Sequence, residues 1–172
     1  MRLYRWFDRE FVLDLPAWMY PNVVERVRGG PARLEERILG LSQRVLAQRN
    51  GAGWSIQEHA GHLWDLESLW MGRLEDFEAG RQQLRPADLE NQRTHEAQHN
   101  TSSIDTIVEG FRLARLEMVD RLDSYDESSV VRAALHPRLQ QPMRVLDLAF
   151  FVAEHDDHHL AHITRLIQVC ER

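Results

Sequence analysis

Nine histidines occur in the 172 residues of the chain, and their placement matters more than their number. His155, Asp156, His158, His159 and His162 crowd one short stretch. If that stretch is helical, His155 and His159 stand one above the other, and both can turn a ring nitrogen toward a single cation. A wheel at about 100° per residue sets the pair at the border of an apolar stripe and puts Asp156 among Val145, Ala149, Ile163 and Ile167. An unpaired carboxylate is costly to bury there, so Asp156 needs a partner. It is expected to orient a ligand imidazole by accepting its outer N–H, or else to act as a base on metal-bound water. The outline His-Asp-Asp-His-His approaches the His-Glu-x-x-His pair of zinc proteases, with an acid one methylene shorter. Several buried imidazoles without a shared ligand each need separate hydrogen-bond partners, which one cation would satisfy together. A third donor must come from another helix. His59 and His62 are both available, and spacing does not choose between them.

Four segments carry apolar residues at the spacing of three and four that marks amphipathic helices. The first is expected from Pro31 to Arg49, with Leu34, Ile38, Leu41 and Val45 inward and a short helix before it over Leu15 to Arg28. The second starts at Ser55-Ile56-Gln57-Glu58, where serine and glutamate can cap the first turn reciprocally, and runs to Ala79. The third covers Ser102 to Asp123 and the fourth Pro142 to Cys170. Arg81 to Thr101 is too long for a tight turn and fits a crossover connection. The fold expected is all-α, a four-helix bundle with a long crossover between the second and third helices, forming one domain over residues 1–172. His136-Pro137 reads as a loop element, and Trp64 and Trp70 as packing residues, either of which can also wall a pocket.

Composition narrows the function classes. The net charge of −6 is spread along the chain, and no Lys/Arg-rich segment offers the phosphate contacts that dominate nucleic-acid affinity. Arginines beside acids at helical spacing, as in Arg33-Leu34-Glu35-Glu36-Arg37, read as solvated faces. No apolar run approaches the ~18 residues of a transmembrane helix. Charges interrupt the segment from Met1 to Glu10 where a signal peptide needs an apolar stretch. One cysteine, Cys170, allows no internal disulfide, and with no basic group beside it reads as a small apolar residue. A cytoplasmic protein with neither nucleic-acid nor membrane partner is expected.

The motifs Trp54-Ser55-x-x-Glu58-His59-x-x-His62-Leu63, followed by Glu67, and Glu154-His155-Asp156-Asp157-His158-His159 resemble the DinB/YfiT-like metalloenzymes. The resemblance extends through Arg28-Gly29-Gly30-Pro31-Ala32-Arg33-Leu34-Glu35 and covers most of the chain. It implies a four-helix bundle with a long crossover, often a homodimer. It implies zinc or nickel held by His62, His155 and His159, so the resemblance, and not spacing, selects His62. His59 and His162 are then pocket or orienting candidates, His162 standing where many relatives have glutamine. The activities implied are thiol S-transfer with a low-molecular-weight thiol such as bacillithiol or mycothiol, and metal-dependent hydrolysis of a small-molecule substrate.

Two other readings carry different expectations. A non-catalytic metal-binding bundle calls for a fourth protein ligand, since structural zinc sites are normally closed. A diiron carboxylate bundle is suggested by Glu96-Ala97-Gln98-His99, but that architecture needs a second Glu-x-x-His and further glutamates on other helices.

Overall fold

In the computed structural model, which describes residues 3–170, the helices in chain order are α1 (Tyr20–Arg28), α2 (Gly30–Ile38), α3 (Gln43–Leu46), α4 (Ile56–Asp65), α5 (Glu67–Glu78), α6 (Gln92–Glu96), α7 (Ile104–Asp123), α8 (Glu127–Val130) and α9 (Val145–Cys170). Four rods form the bundle: α1 with α2, α4 with α5, α7, and α9. The first two rods each pack against α7 and α9. Among the described residues, no helix is long and apolar enough to cross a membrane.

The second rod begins as the sequence signals. Ser55 Oγ accepts from the Glu58 amide at 3.1 Å, and Glu58 Oε2 accepts from the Ser55 amide at 2.8 Å. Arg49 adds a second clamp on the Glu58 carboxylate. Burial alone would raise the Glu58 carboxyl pKa, but Arg49 and the Ser55 amide hold it at about 2. Ser55→Ala is expected to cost about 1 kcal/mol. A lowered urea midpoint with an unchanged m-value is the result that checks it.

Elsewhere the boundaries differ from expectation. The first rod runs from Tyr20 to Ile38, seamed at Gly29, and does not continue to Arg49. Pro31 sits in the first turn of α2, where a missing N–H costs nothing. The rod stops because Leu39 is extended and Gly40 takes φ +77°. Leu41 and Val45 therefore follow the turn rather than lying on the stripe of Leu34 and Ile38. The fourth helix starts at Val145, because Pro142 belongs to a hairpin of β1 (Ala133–His136) and β2 (Gln141–Arg144), paired antiparallel as Ala133 to Arg144 through His136 to Gln141. His136 is thus the last residue of a strand and not a loop element. In β1 the buried residues alternate, Ala134 and His136 inward, but four residues carry too little of that pattern in the sequence to mark a strand.

The crossover holds between α5 and α7. It carries α6 and a 3-10 turn at His99–Thr101, both packed on α4. Gln57 Nε2 donates to the His99 and Ser102 carbonyls and staples the turn to α4. Gly61 lets His99 lie against the helix, since a Cβ there would come within 2.2 Å of its ring.

Two apolar clusters fill the bundle. Val27, Leu74, Met118, Leu146 and Val152 belong to the one nearer the hairpin, and Leu34, Ile56, Leu63, Phe111 and Ile163 to the other. Between them the rods contribute a polar layer. Its centre is Arg115 of α7, 1% exposed, with Glu67 at 2% and Asp156 at 0%. Arg115 donates through Nε and Nη2 to Glu67, through Nη1 and Nη2 to Asp156, and through Nη1 to the Val27 carbonyl at 2.9 Å. These contacts use all five guanidinium donors. Burial alone would depress the Arg115 pKa, but the two carboxylates hold it above its ordinary range. Gly30 closes the layer, because a Cβ there would lie 2.5 Å from Asp156 Oδ2.

Candidate metal centre

Three imidazoles meet beside this layer. His62 of α4 and His155 and His159 of α9 are all buried, and each offers a ring nitrogen within 4.8 Å of the others. The Nε2 atoms of His155 and His159 face each other at 3.1 Å. Nitrogens bound at the usual zinc distance in a tetrahedron stand about 3.4 Å apart, so the pair is already spaced as two ligands of one ion.

The hydrogen bonds around the cluster select donor atoms. Thr94 of α6 gives its single hydroxyl proton to Asp65 Oδ2 at 2.8 Å, so toward His62 Nδ1, 3.0 Å away, it can only accept. His62 Nδ1 therefore carries the proton, and Nε2 keeps a free lone pair. Asp65 also accepts from His99 Nε2 at 2.8 Å and faces Arg93. On the other side, His159 Nδ1 lies 2.8 Å from His59 Nδ1. With His59 accepting, His159 also keeps its Nε2 lone pair for a ligand. Burial, the largest cause, lowers the pKa of His62 to about 4 and of His155 and His159 well below the ordinary value. All three rings are neutral at pH 7, as ligation requires. His155 Nδ1 is buried with no hydrogen-bond partner among the described residues, and the facing Nε2 atoms cannot both present lone pairs at 3.1 Å without a proton or a cation between them. The donor set therefore fits a divalent cation that favours imidazole nitrogen.

His59 and His162 take separate places. His59 is the orienting partner of His159, and its ring stacks on His162 at 5.2 Å. Asp156 differs from expectation: both its oxygens bond Arg115, and it contacts no imidazole. The carboxylate that orients a candidate ligand is instead Asp65, acting through Thr94. Neither was singled out from the sequence; Asp65 lies three residues after His62, but Thr94 reaches the site only through the crossover. The Glu96–His99 pair is no diiron motif, for Glu96 is exposed and Gln98, at φ +48°, breaks the helix between them. Trp64 packs against Gly110, as a packing residue should, whereas Trp70 both packs and walls the pocket.

The cluster opens into a cavity of about 530 Å³ whose walls include Trp6, Trp54, Leu66, Trp70, His158 and His162. Trp6 stands edge-on to His155 at 5.0 Å, and Arg9 anchors that N-terminal segment to Glu154 of α9.

Comparisons with known proteins agree with this architecture. The family profile of the DinB superfamily matches residues 26–163. A solved structure of YfiT from Bacillus subtilis, described as a probable metal-dependent hydrolase with an unusual four-helix bundle topology, superposes with a TM-score of 0.83 at 16% identity, covering 95% of this chain and 94% of that one. No curated protein matches the sequence.

Proposed function

The chain belongs to the DinB superfamily, and from that premise we propose that it is a metal-dependent hydrolase whose His62, His155 and His159 hold one zinc or nickel ion. The carrying observation is the convergence of three buried, neutral imidazoles from two helices at the floor of a cavity. The description of YfiT as a probable metal-dependent hydrolase supports the same reading. An ion held there supplies Lewis acidity and lowers the pKa of bound water.

The chain's own residues do the rest. Thr94 and Asp65 fix the tautomer of His62, and His59, when it accepts from His159 Nδ1, leaves the Nε2 of His159 free for the ion. Trp6, Trp54 and Trp70 form apolar walls that limit water around a bound substrate. With Asp156 committed to Arg115, the rings of His158 and His162 are proton acceptors in the cavity wall beside the cluster. Burial lowers the His158 pKa to about 4 and also lowers that of His162. With His59 paired to His159, an ion held by the three imidazoles would keep positions for water or substrate, as catalytic sites do and closed structural ones do not.

A panel of carboxylic esters, amides and lactones is expected to contain a substrate whose turnover stops with a chelator and returns with zinc or nickel. Turnover unaffected by metal removal would sink the reading. One observation favours a second activity: among the described residues no free carboxylate stands at the three imidazoles to serve as a base, and transfer of a metal-activated thiol needs none. Conjugation of bacillithiol or mycothiol to an electrophile, with no hydrolysis of the panel, would replace hydrolase by thiol S-transferase.

A further inference from the structure

The cavity has a second polar region, formed by Arg73 of α5 with His136 and Arg138 of the hairpin. Its surplus is of donors. Arg73 is 1% exposed. It gives Nε to the Arg85 carbonyl and points Nη1 at His136 Nε2, 3.1 Å away. On the other edge of that ring, Nδ1 faces the backbone amides of Arg138 and Leu139 at 3.2 and 3.1 Å. A neutral imidazole has one proton. Whichever nitrogen accepts, the other turns its N–H toward a donor.

Arg138 adds to the surplus. Its guanidinium lies over the rings of Phe7 and Phe151, at 5.4 and 6.0 Å, which hold it in place, and its Nη2 is buried with no hydrogen-bond partner among the described residues. Among the described residues, neither Arg73 nor Arg138 forms an ion pair. Asp76, the acid nearest Arg73, is bound by Arg85. Asp88, the carboxylate of the cavity wall, is occupied by the amides of Glu90 and Gln92. Burial lowers the Arg73 pKa to about 10, so it keeps its charge at neutral pH. Two cations and a misdirected imidazole N–H in one cavity wall, with no carboxylate paired to them among the described residues, are what a preformed oxyanion site requires.

Its position makes it part of the same pocket. The His136 ring is 5.4 Å from Phe151, one helical turn before His155, and Trp70 bridges Phe151 and His155 at 6.1 and 5.8 Å. The two polar regions are thus separated by aromatic surface. We propose that Arg73, His136 and Arg138 bind an oxyanion of the substrate, a carboxylate or a phosphate, whose apolar body lies along Trp70 and Phe151 toward the three histidines. This rests on reading the cavity as the substrate pocket, and it names the substrate class: a small amphipathic anion.

The test uses the full-length protein and the fluorescence of the cavity tryptophans. 4-Phenylbutyrate and phenyl phosphate are titrated as anionic probes and 4-phenylbutanamide as the neutral one, each with and without chelator. At least one anion is expected to bind about 10- to 100-fold more tightly than the amide, equally with or without chelator. Which anion does so distinguishes carboxylate from phosphate. Arg138→Gln, with its fold checked by circular dichroism, should remove that preference for the anion over the amide; Arg138→Lys, which keeps the charge without the fork, should retain part of it. Equal binding of amide and anions, or a preference that survives in Arg138→Gln, overturns the proposal. A preference abolished by chelator also overturns it and assigns the anion to the metal instead. Chelator-independent binding in a protein that holds no metal would uphold this site while the hydrolase reading failed.

Discussion

Arg115→Met is expected to destabilise the protein by about 3–5 kcal/mol, because it strands two carboxylates in the interior. Glu67 and Asp156 lie almost without solvent access, and every donor of the guanidinium is engaged. Methionine fills much of the volume but offers no donor, so the loss comes from desolvated charge rather than from a cavity. Urea unfolding of Arg115→Met beside the triple variant Arg115→Met/Glu67→Gln/Asp156→Asn separates these causes. Removing all three charges should recover much of the loss. Equal stability of wild type and Arg115→Met would show that the carboxylates are not held by this contact.

The second large effect concerns the metal. Metal content of untagged protein is expected to be stoichiometric in wild type and absent in His62→Ala, His155→Ala and His159→Ala alike, because two imidazoles from one helix hold an ion far less well than three from two. Thr94→Val should retain a site with affinity weakened roughly 10- to 100-fold, the usual consequence of removing the partner of a metal-binding histidine. Valine keeps the volume of Thr94 but cannot accept from His62 Nδ1, freeing that ring to adopt the wrong tautomer. Elemental analysis and competition with a chromophoric chelator read both effects. Unchanged metal in any one of the alanine variants removes that residue from the proposed set.

Much of this arrangement is legible in the sequence because it depends on local geometry. The i, i+4 spacing of His155 and His159 specifies a shared face, Ser55 and Glu58 specify a helix start, and the wheel placed Asp156 in the interior with a partner required. The identity of that partner is not local. Arg115 stands among Arg112, Glu117, Asp120 and Arg121 on α7 and looks like the solvated arginines around it. Only the packing of α7 against α5 and α9 distinguishes it. Asp65 and Thr94 illustrate the same limit, since their joint action on His62 depends on how the crossover folds back over α4. The hairpin leaves no local signal because its short strands pair across a turn closed by Gln140 at φ +53°, and Pro142 has the form of a helix start.

The polar layer also fixes where the chain can change length. Each rod crosses it once, and inserting one residue within a rod turns everything beyond by about 100°. An insertion between His59 and Glu67, or between Arg115 and Leu122, would therefore leave one apolar cluster facing inward and swing the other toward solvent. No such phase must be kept between Leu39 and Trp54 or between Gly80 and Gln92, where the chain runs outside the rods. Insertions and deletions among descendants of this sequence should accumulate in those connections, while the spacing from each rod's layer residue to its two flanking clusters stays constant.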